Sequence, residues 1–246
     1  MSASEAKLAT IRKLLAQAED AAASPAEAET FTAKAAELMA RYGVDRAMLA
    51  DGDETVDAIA DRVIRLDPPY ALDKIGLLSG IGQALGLHVV QRTGFGVRGK
   101  EISALLFGYS SDLERAEILF TSLLVQAARG LAAARVPTHE NKAAYRRAWL
   151  AGFSTTVRLR LADAEQRARA EATEAASTSA TGRPAELVLA DRRHVVDQRF
   201  AEAFPRLRSA PRRVLSGSGH GDGIRAGHRA DLGGAALPTR RRSLGR

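Results

Sequence analysis

Residues 87–126 read "LHVVQRTGFGVRGKEISALLFGYSSDLERAEILFTSLLVQ", and how this stretch divides decides the fold class. "LHVVQRT" (87–93) and "EISALLFGYS" (101–110) flank the glycine-rich "GFGVRGK". Two short runs of that kind around a glycine turn predict a β-hairpin. From residue 110 the period changes to helical, and "SSDLERAEILFTSLLVQAARGLAAA" predicts a helix with Ser111 as N-cap and Glu114 at N3. Upstream, "DRVIRLD" (61–67) reads as a strand stopped by Pro68 and Pro69. "ALDKIGLLSGIGQALG" (71–86) reads as a helix with Leu72, Ile75, Leu78, Ile81 and Leu85 at helical spacing. Gly76, Gly80 and Gly82 inside it each cost ~1 kcal/mol relative to alanine, so a second backbone is expected to pack closely there. The order β-α-β-β-α makes a small α+β layer with a helix over one sheet face.

Before this layer comes an αα-hairpin. In "KLATIRKLLAQAEDAAA" (7–23), Leu8, Ile11, Leu14, Leu15 and Ala18 form one apolar stripe. "SPAEAETFTAKAAELMARYG" (24–43) opens with Ser24 as N-cap, Pro25 at N1 and Glu27 at N3, a capping box. Ala28, Phe31, Ala35, Leu38, Met39 and Tyr42 line its buried face, and Gly43 is placed to end the helix in a left-handed conformation. Two short amphipathic helices must pack on each other and on something more. Leu8, Ile11, Leu15, Phe31 and Leu38 are therefore candidates for an interaction face toward a second copy or another protein.

After the layer, "THENKAAYRRAWLAGFSTTVRLRLADAEQRARA" (138–170) predicts a helix of about 45 Å capped by Thr138. Tyr145, Trp149, Phe153, Thr156 and Leu159 mark one side, and Arg146, Arg147, Arg158, Arg160, Arg167 and Arg169 the other. Small polar residues at 171–185 read as a linker. Residues 186–208 are expected to add one strand and one helix, with Asp191 as the helix cap, and 209–246 form a basic, Gly/Arg-rich tail. The expected division is thus a hairpin at 1–50, an α+β core with the long helix at 57–170, the linker, the 186–208 addition and the tail.

A chain of 246 residues, 46% apolar and 26% charged, has enough apolar surface for a sizeable core. No window approaches 18 uncharged apolar residues, so no membrane association is expected. Charges throughout "MSASEAKLATIRKLLAQAED" do not suit a signal peptide. The absence of cysteine excludes disulfides and thiolate metal sites and fits a cytoplasmic location. The net charge of +7 is unevenly placed. Residues 206–246 hold ten arginines, no lysine and two aspartates, giving +8, while the first 205 residues carry −1. That asymmetry points to a polyanion. Arg206, Arg208, Arg212, Arg213, Arg225, Arg229, Arg240, Arg241 and Arg242 are the candidate contacts to DNA or RNA. Arginine outnumbers lysine 30 to 6, a bias that GC-rich coding also produces.

Several motifs resolve into ordinary structure. "GFGVRG" (94–99) matches G-x-G-x-x-G, but a dinucleotide site needs a helix after it and here a strand follows. No kinase lysine, H-R-D loop or D-F-G triplet accompanies it, so it reads as a hairpin turn. "HENKA" (139–143) has alanine where a zincin needs its second histidine; Thr138, His139 and Glu140 read as a helix start. "GSGHGDGIRAGHRADLGG" (217–234) offers His220, Asp222, His228 and Asp231 to a divalent ion, or a glycine nest to a phosphate. Against both, its glycines leave the groups unordered. The competing readings are a loose basic tail, or a small-residue helix from about 222 to 232 docked through Gly223, Ala226, Gly227 and Ala230. The segment is read as no site: no metal and no cofactor are expected. His88 and His194 read as packing or surface residues, and local spacing assembles no catalytic constellation.

The hairpin's "IRKLLAQAED", "SPAEAETFTAKAAELM" and "RYGVD" together resemble the bacterial and phage family called domain of unknown function 2786. "LLFGYSSDLERAEILFTSLLVQ", "YRRAWLAGFSTTV" and "SGHGDGIRAGHRADLGG" are similar to the segment that accompanies this domain. The resemblance implies no activity that transfers residue by residue. It also implies an aromatic and small residues where this chain has His220 and "DGIR", which makes the histidine–aspartate cluster incidental.

The expectation is therefore an α+β protein, uncharacterised and non-enzymatic, that associates weakly with nucleic acid through its basic C-terminal tail. A protein–protein or self-associating module built on the hairpin is the alternative. An enzyme whose site assembles only in three dimensions is the third.

Overall fold

The computed structural model describes residues 3–18, 25–51, 53, 55–96, 99–177, 183–209 and 213–230. Among them the order is α1 (Ala3–Ala18), α2 (Pro25–Leu49), β1 (Ile59–Arg65), α3 (Ala71–Leu85), β2 (His88–Gly96), β3 (Gly99–Tyr109), α4 (Ser110–Ala133), α5 (Lys142–Ser177), α6 (Ala185–Ala203) and α7 (His220–Arg229). The α+β class and the β-α-β-β-α layer are as the sequence predicts.

The three strands form one antiparallel sheet in the order β1-β3-β2. Register sorts its two faces, because paired residues share a face. Arg62 and Val89 both pair with Leu106, and Ile64 and Gln91 with Ala104; Leu106 and Ala104 are fully buried on the side of α3 and α4. On the opposite face Asp61 and His88 both pair with Phe107. That face is covered by α6. Phe200 of α6 stacks on His88 at 3.9 Å and lies 5.6 Å from Phe107, with Phe204 closing against both phenylalanines. The sheet is thus a middle layer between α3/α4 and α6. Of the described helices, only α4 is long and apolar enough to cross a membrane. Its Leu113, Leu119, Phe120 and Leu123 are buried in the core of this chain.

At 36 residues, α5 is a rod of about 54 Å. Tyr145, Trp149, Phe153 and Val157 run along its buried side and join the main core. The helix starts at Asn141, not Thr138: the Asn141 side-chain oxygen accepts the amides of Ala143 and Ala144, each at 3.0 Å. It also runs to Ser177, so the first part of the expected 171–185 linker is helical. Residues 186–208 supply no strand; α6 occupies 185–203, and Asp191 lies inside it, ion-paired to Arg183, rather than at its cap. Ser24, the expected cap of α2, lies outside the described residues.

The tail expected from residue 209 is packed from 213 to 230. Its α7 takes the docked small-residue reading over the loose one. Gly223 and Gly227 are buried against α5, and a methyl at either would overlap the Trp149 carbonyl or the Thr156 side chain. Arg160 closes the far end, donating to the Gly227 and His228 carbonyls at 2.7 and 3.0 Å, where a helix C-terminus favours a cation. Residues 231–246 lie outside the described residues.

Helix-interior glycines in α3 divide in two. A methyl at Gly80 would press on the Arg158 stem at 3.2 Å, and one at Gly82 would strike Val89 at 2.5 Å. Gly76, expected to face a close backbone, instead has nothing within 4 Å of where its methyl would sit. Gly223→Ala should lower unfolding free energy by about 1–3 kcal/mol, and Gly76→Ala should raise it by roughly 1 kcal/mol; urea melts of the two variants measure both signs.

Candidate functional site

Helix α4 begins with amides that need acceptors, and Ser111 is not the cap that supplies one: its side chain bonds no helix amide. Asp57, from the loop before β1, does the work from outside the helix. Its carboxylate accepts the Ser111 amide at 3.0 Å and the Ser111 hydroxyl at 2.6 Å. It also receives Arg192 of α6 at 2.6 Å, and its side chain is fully buried. A buried carboxylate at a helix N-terminus is favoured by the dipole and by these donors together. The Arg192 guanidinium lies 3.5 Å over the Tyr109 ring, a cation–π contact, and 3.8 Å from Asp112.

One turn further along α4 is Arg115, 2% exposed. It donates to Asp112 at 2.7 Å and, through its other terminal nitrogen, to Glu165 of α5. Its space is made by α2: a methyl at Gly43 would sit on the guanidinium. Gly43 is therefore not a helix stop. The helix runs through it to Leu49, and the missing side chain admits a cation from α4. The Arg115 Nε is buried without a hydrogen-bond partner.

Three carboxylates, Asp57, Asp112 and Glu165, thus face two guanidiniums in a largely buried setting. Burial pushes the Asp112 and Glu165 carboxyls above the ordinary range, and the nearby Arg115 offsets this only in part. Burial also works against the Arg115 charge, but Glu165 and Asp112 outweigh it and hold the proton more firmly than usual.

Above this network lies a cavity of about 930 Å³, within the range of small-molecule sites. Five helices contribute to its wall: Gly43 from α2, Gln83 from α3, Arg115 from α4, Arg169 from α5, and Arg192 and Arg193 from α6. Neither Arg169 nor Arg193 forms a close ion pair among the described residues, although Arg169 stands near enough to Glu165 to favour its carboxylate. The Arg169 Nε is buried and unbonded, and Arg193 makes one long contact, 3.4 Å, to the Gln83 carbonyl. Glu174 and Glu186 stand on the same wall. The arrangement can orient a polar ligand whose anionic group meets the Arg169 and Arg193 guanidiniums.

Residues singled out in the sequence fall elsewhere. Arg206, Arg208 and Arg229 are exposed. Arg213 is ion-paired to the buried Asp73 at 2.9 Å, and Arg225 to Asp222. Arg212, Arg240, Arg241 and Arg242 lie outside the described residues. Leu8, Ile11 and Leu15 are buried in the main core, with Leu38 half-buried against it. The face offered to a partner is thus covered by the chain itself; the Phe31 side chain lies outside the described residues. Glu140 does not start α5. It accepts the Ser218 amide at 2.6 Å and hydroxyl at 2.5 Å, which hold its carboxyl below the usual range. In the glycine-rich segment, His220 and His228 are exposed, while Asp222 accepts the Tyr145 hydroxyl as well as Arg225. Burial, reinforced by that bond, pushes Tyr145 up to about 12. Asp231 lies outside the described residues. His88, beyond its ring stack, bonds Asp197 at 2.7 Å, and His194 is exposed on α6.

Residues 6–46 match the family described as protein of unknown function (DUF2786), so the α1–α2 hairpin carries that domain. The later segments that resemble the family's companion region lie outside the match. No curated protein and no solved structure matches the chain.

Two outcomes follow from the buried network. Arg115→Ala strands two buried carboxylates and should cost about 3–5 kcal/mol in a urea melt. Asp112 and Glu165 carry folded pKa values raised above their unfolded ones, so their stabilising share is fully present below the unfolded pKa and is lost as pH rises through the folded pKa. The stability of the wild type relative to Asp112→Asn should therefore fall as pH is raised from the ordinary carboxylate range toward neutrality, measured by melts at successive pH values.

Proposed function

We propose that this chain is a ligand-binding domain whose central cavity takes a small anionic metabolite, a phosphate or carboxylate ester or acid. What carries the reading is the pair Arg169 and Arg193: two guanidiniums on the wall of a cavity that form no close ion pair among the described residues, above a floor whose own charges are paired. An ion-paired floor holds its shape when a ligand enters, because Arg115 and Arg192 are already fixed by Asp57, Asp112 and Glu165. Preorganised charge of this kind stabilises a bound anion with little ordering cost.

Isothermal titration with inorganic phosphate and with glycerol phosphate tests it. A charge-assisted hydrogen bond contributes about 1.5–3 kcal/mol, so Arg169→Ala should weaken binding about tenfold or more while the melting temperature holds. Wild-type protein that binds none of these anions, or an Arg169→Ala variant that binds them equally well, contradicts the proposal.

A second reading, association with DNA or RNA through the C-terminal segment, keeps the support of its +8 charge and of exposed Arg206, Arg208 and Arg229. Arg213 and Arg225 are engaged within the chain, and residues 231–246 add four further arginines to the segment's charge. Removing residues 231–246 should make the slope of log K against log salt shallower by roughly 3–4 on duplex DNA, from about 0.9 per neutralised phosphate. Identical anisotropy titrations for the full chain and the truncated one contradict this reading.

A further inference from the structure

Gln83 lines a second, narrower cavity as well, of about 400 Å³ between α3 and α5. On α5, Ala151, Ser154 and Arg158 bound the narrow part, and Ala162, Glu165 and Arg169 the wide part. Those positions step by three or four residues throughout, so they form one face of one helix. The two cavities thus follow one another along one face of α5 and share Gln83 in their walls.

Each reach has a cation outside any close ion pair among the described residues. Arg158, half-buried, has no carboxylate partner among the described residues and stands roughly 16 Å along the helix from Arg169, eleven residues at 1.5 Å each. Arg213 faces the same reach from the packed C-terminal segment, bound to Asp73. Between them α3 presents Gly76. Gly80 has a packing reason, since a methyl would press on the Arg158 stem. Gly76 has none: it is an exposed, mid-helix glycine that lines the groove, with 4 Å of open space above it. Its bare backbone leaves the far end of the groove unfilled. Among the described residues no aromatic ring lines the narrow reach, which offers a stacking base no platform there.

From this juxtaposition we infer that the two cavities act as successive reaches of one groove, which holds an elongated ligand with an anionic group at each end. One group meets Arg169 and Arg193. The other meets Arg158 beside Gly76, and a slender middle passes Gln83. This rests on the cavity reading above and names the shape and charge of what that cavity takes.

A ladder of linear α,ω-dicarboxylates of increasing length, with inorganic phosphate as the short probe, measures it by isothermal titration. Wild-type affinity should climb to an optimum at one chain length and exceed that for phosphate about tenfold or more. Arg158→Ala and Gly76→Leu should each remove that optimum, while Arg169→Ala should weaken the dicarboxylates and phosphate alike. A melting temperature for Gly76→Leu at or above wild type shows that the fold is kept. Phosphate binding that is lost in Arg169→Ala, but with no length optimum or with an optimum indifferent to Arg158→Ala, overturns this inference and leaves the cavity reading standing. Failure of phosphate and of every dicarboxylate to bind the wild type overturns both.

Discussion

A guanidinium with almost no contact to water, Arg115, is what the rest of the structure is arranged around. It belongs to α4, is received by a gap in α2 at Gly43, and is neutralised by Asp112 of its own helix and Glu165 of α5. Three helices therefore meet on one side chain. A charge in such a place is tolerated only when its partners are fixed, so the helices are held in one mutual position. Asp57 and Arg192 extend the same logic to α6 and the sheet. Asp112, Arg115, Glu165 and Arg192 of this cluster line the cavity.

The long helix α5 organises what lies around that point. Its apolar side builds the main core with α3 and receives α7 at glycines. A further face supplies Glu165 to the network and the wall of the groove. One rod thus joins packing, buried charge and ligand space. A ligand entering the wide reach would touch residues whose positions the fold has already determined, which is why a binding role suits this arrangement. The arginines of the C-terminal segment are only partly free for a polyanion, since two of them close contacts within the chain.

Much of the fold was legible because local rules agreed. The period change at residue 110, the Pro68–Pro69 stop and the glycine turn at 94–100 each have a local cause, and each element followed. Helix limits were read less well where tertiary contacts override local signals. Gly43 looks like a C-terminal stop until Arg115 is seen to need its space. Ser111 looks like a cap until Asp57 arrives from 54 residues away. The tail looked loose because glycine usually is; in α7 the same glycines permit close docking on α5. The candidate site was hidden for a related reason. Asp57, Asp112, Arg115, Glu165 and Arg192 are scattered over the chain at spacings that match no motif. One signal was present: Arg115 lies four residues after Ser111 and four before Leu119, on the apolar stripe of an otherwise well-patterned helix. A charge in that position predicts a buried partner, though not which one.

The account stands on Gly43 and Arg115 forming one fitted pair, and a double-mutant cycle measures that fit directly. Gly43→Ala alone should destabilise the protein by about 1–3 kcal/mol through overlap with the guanidinium, and the same substitution made in an Arg115→Ala background should cost nothing or stabilise the helix slightly. That result gives a coupling energy as large as the single effect. Simple additivity, with Gly43→Ala costing the same in both backgrounds, would contradict the account.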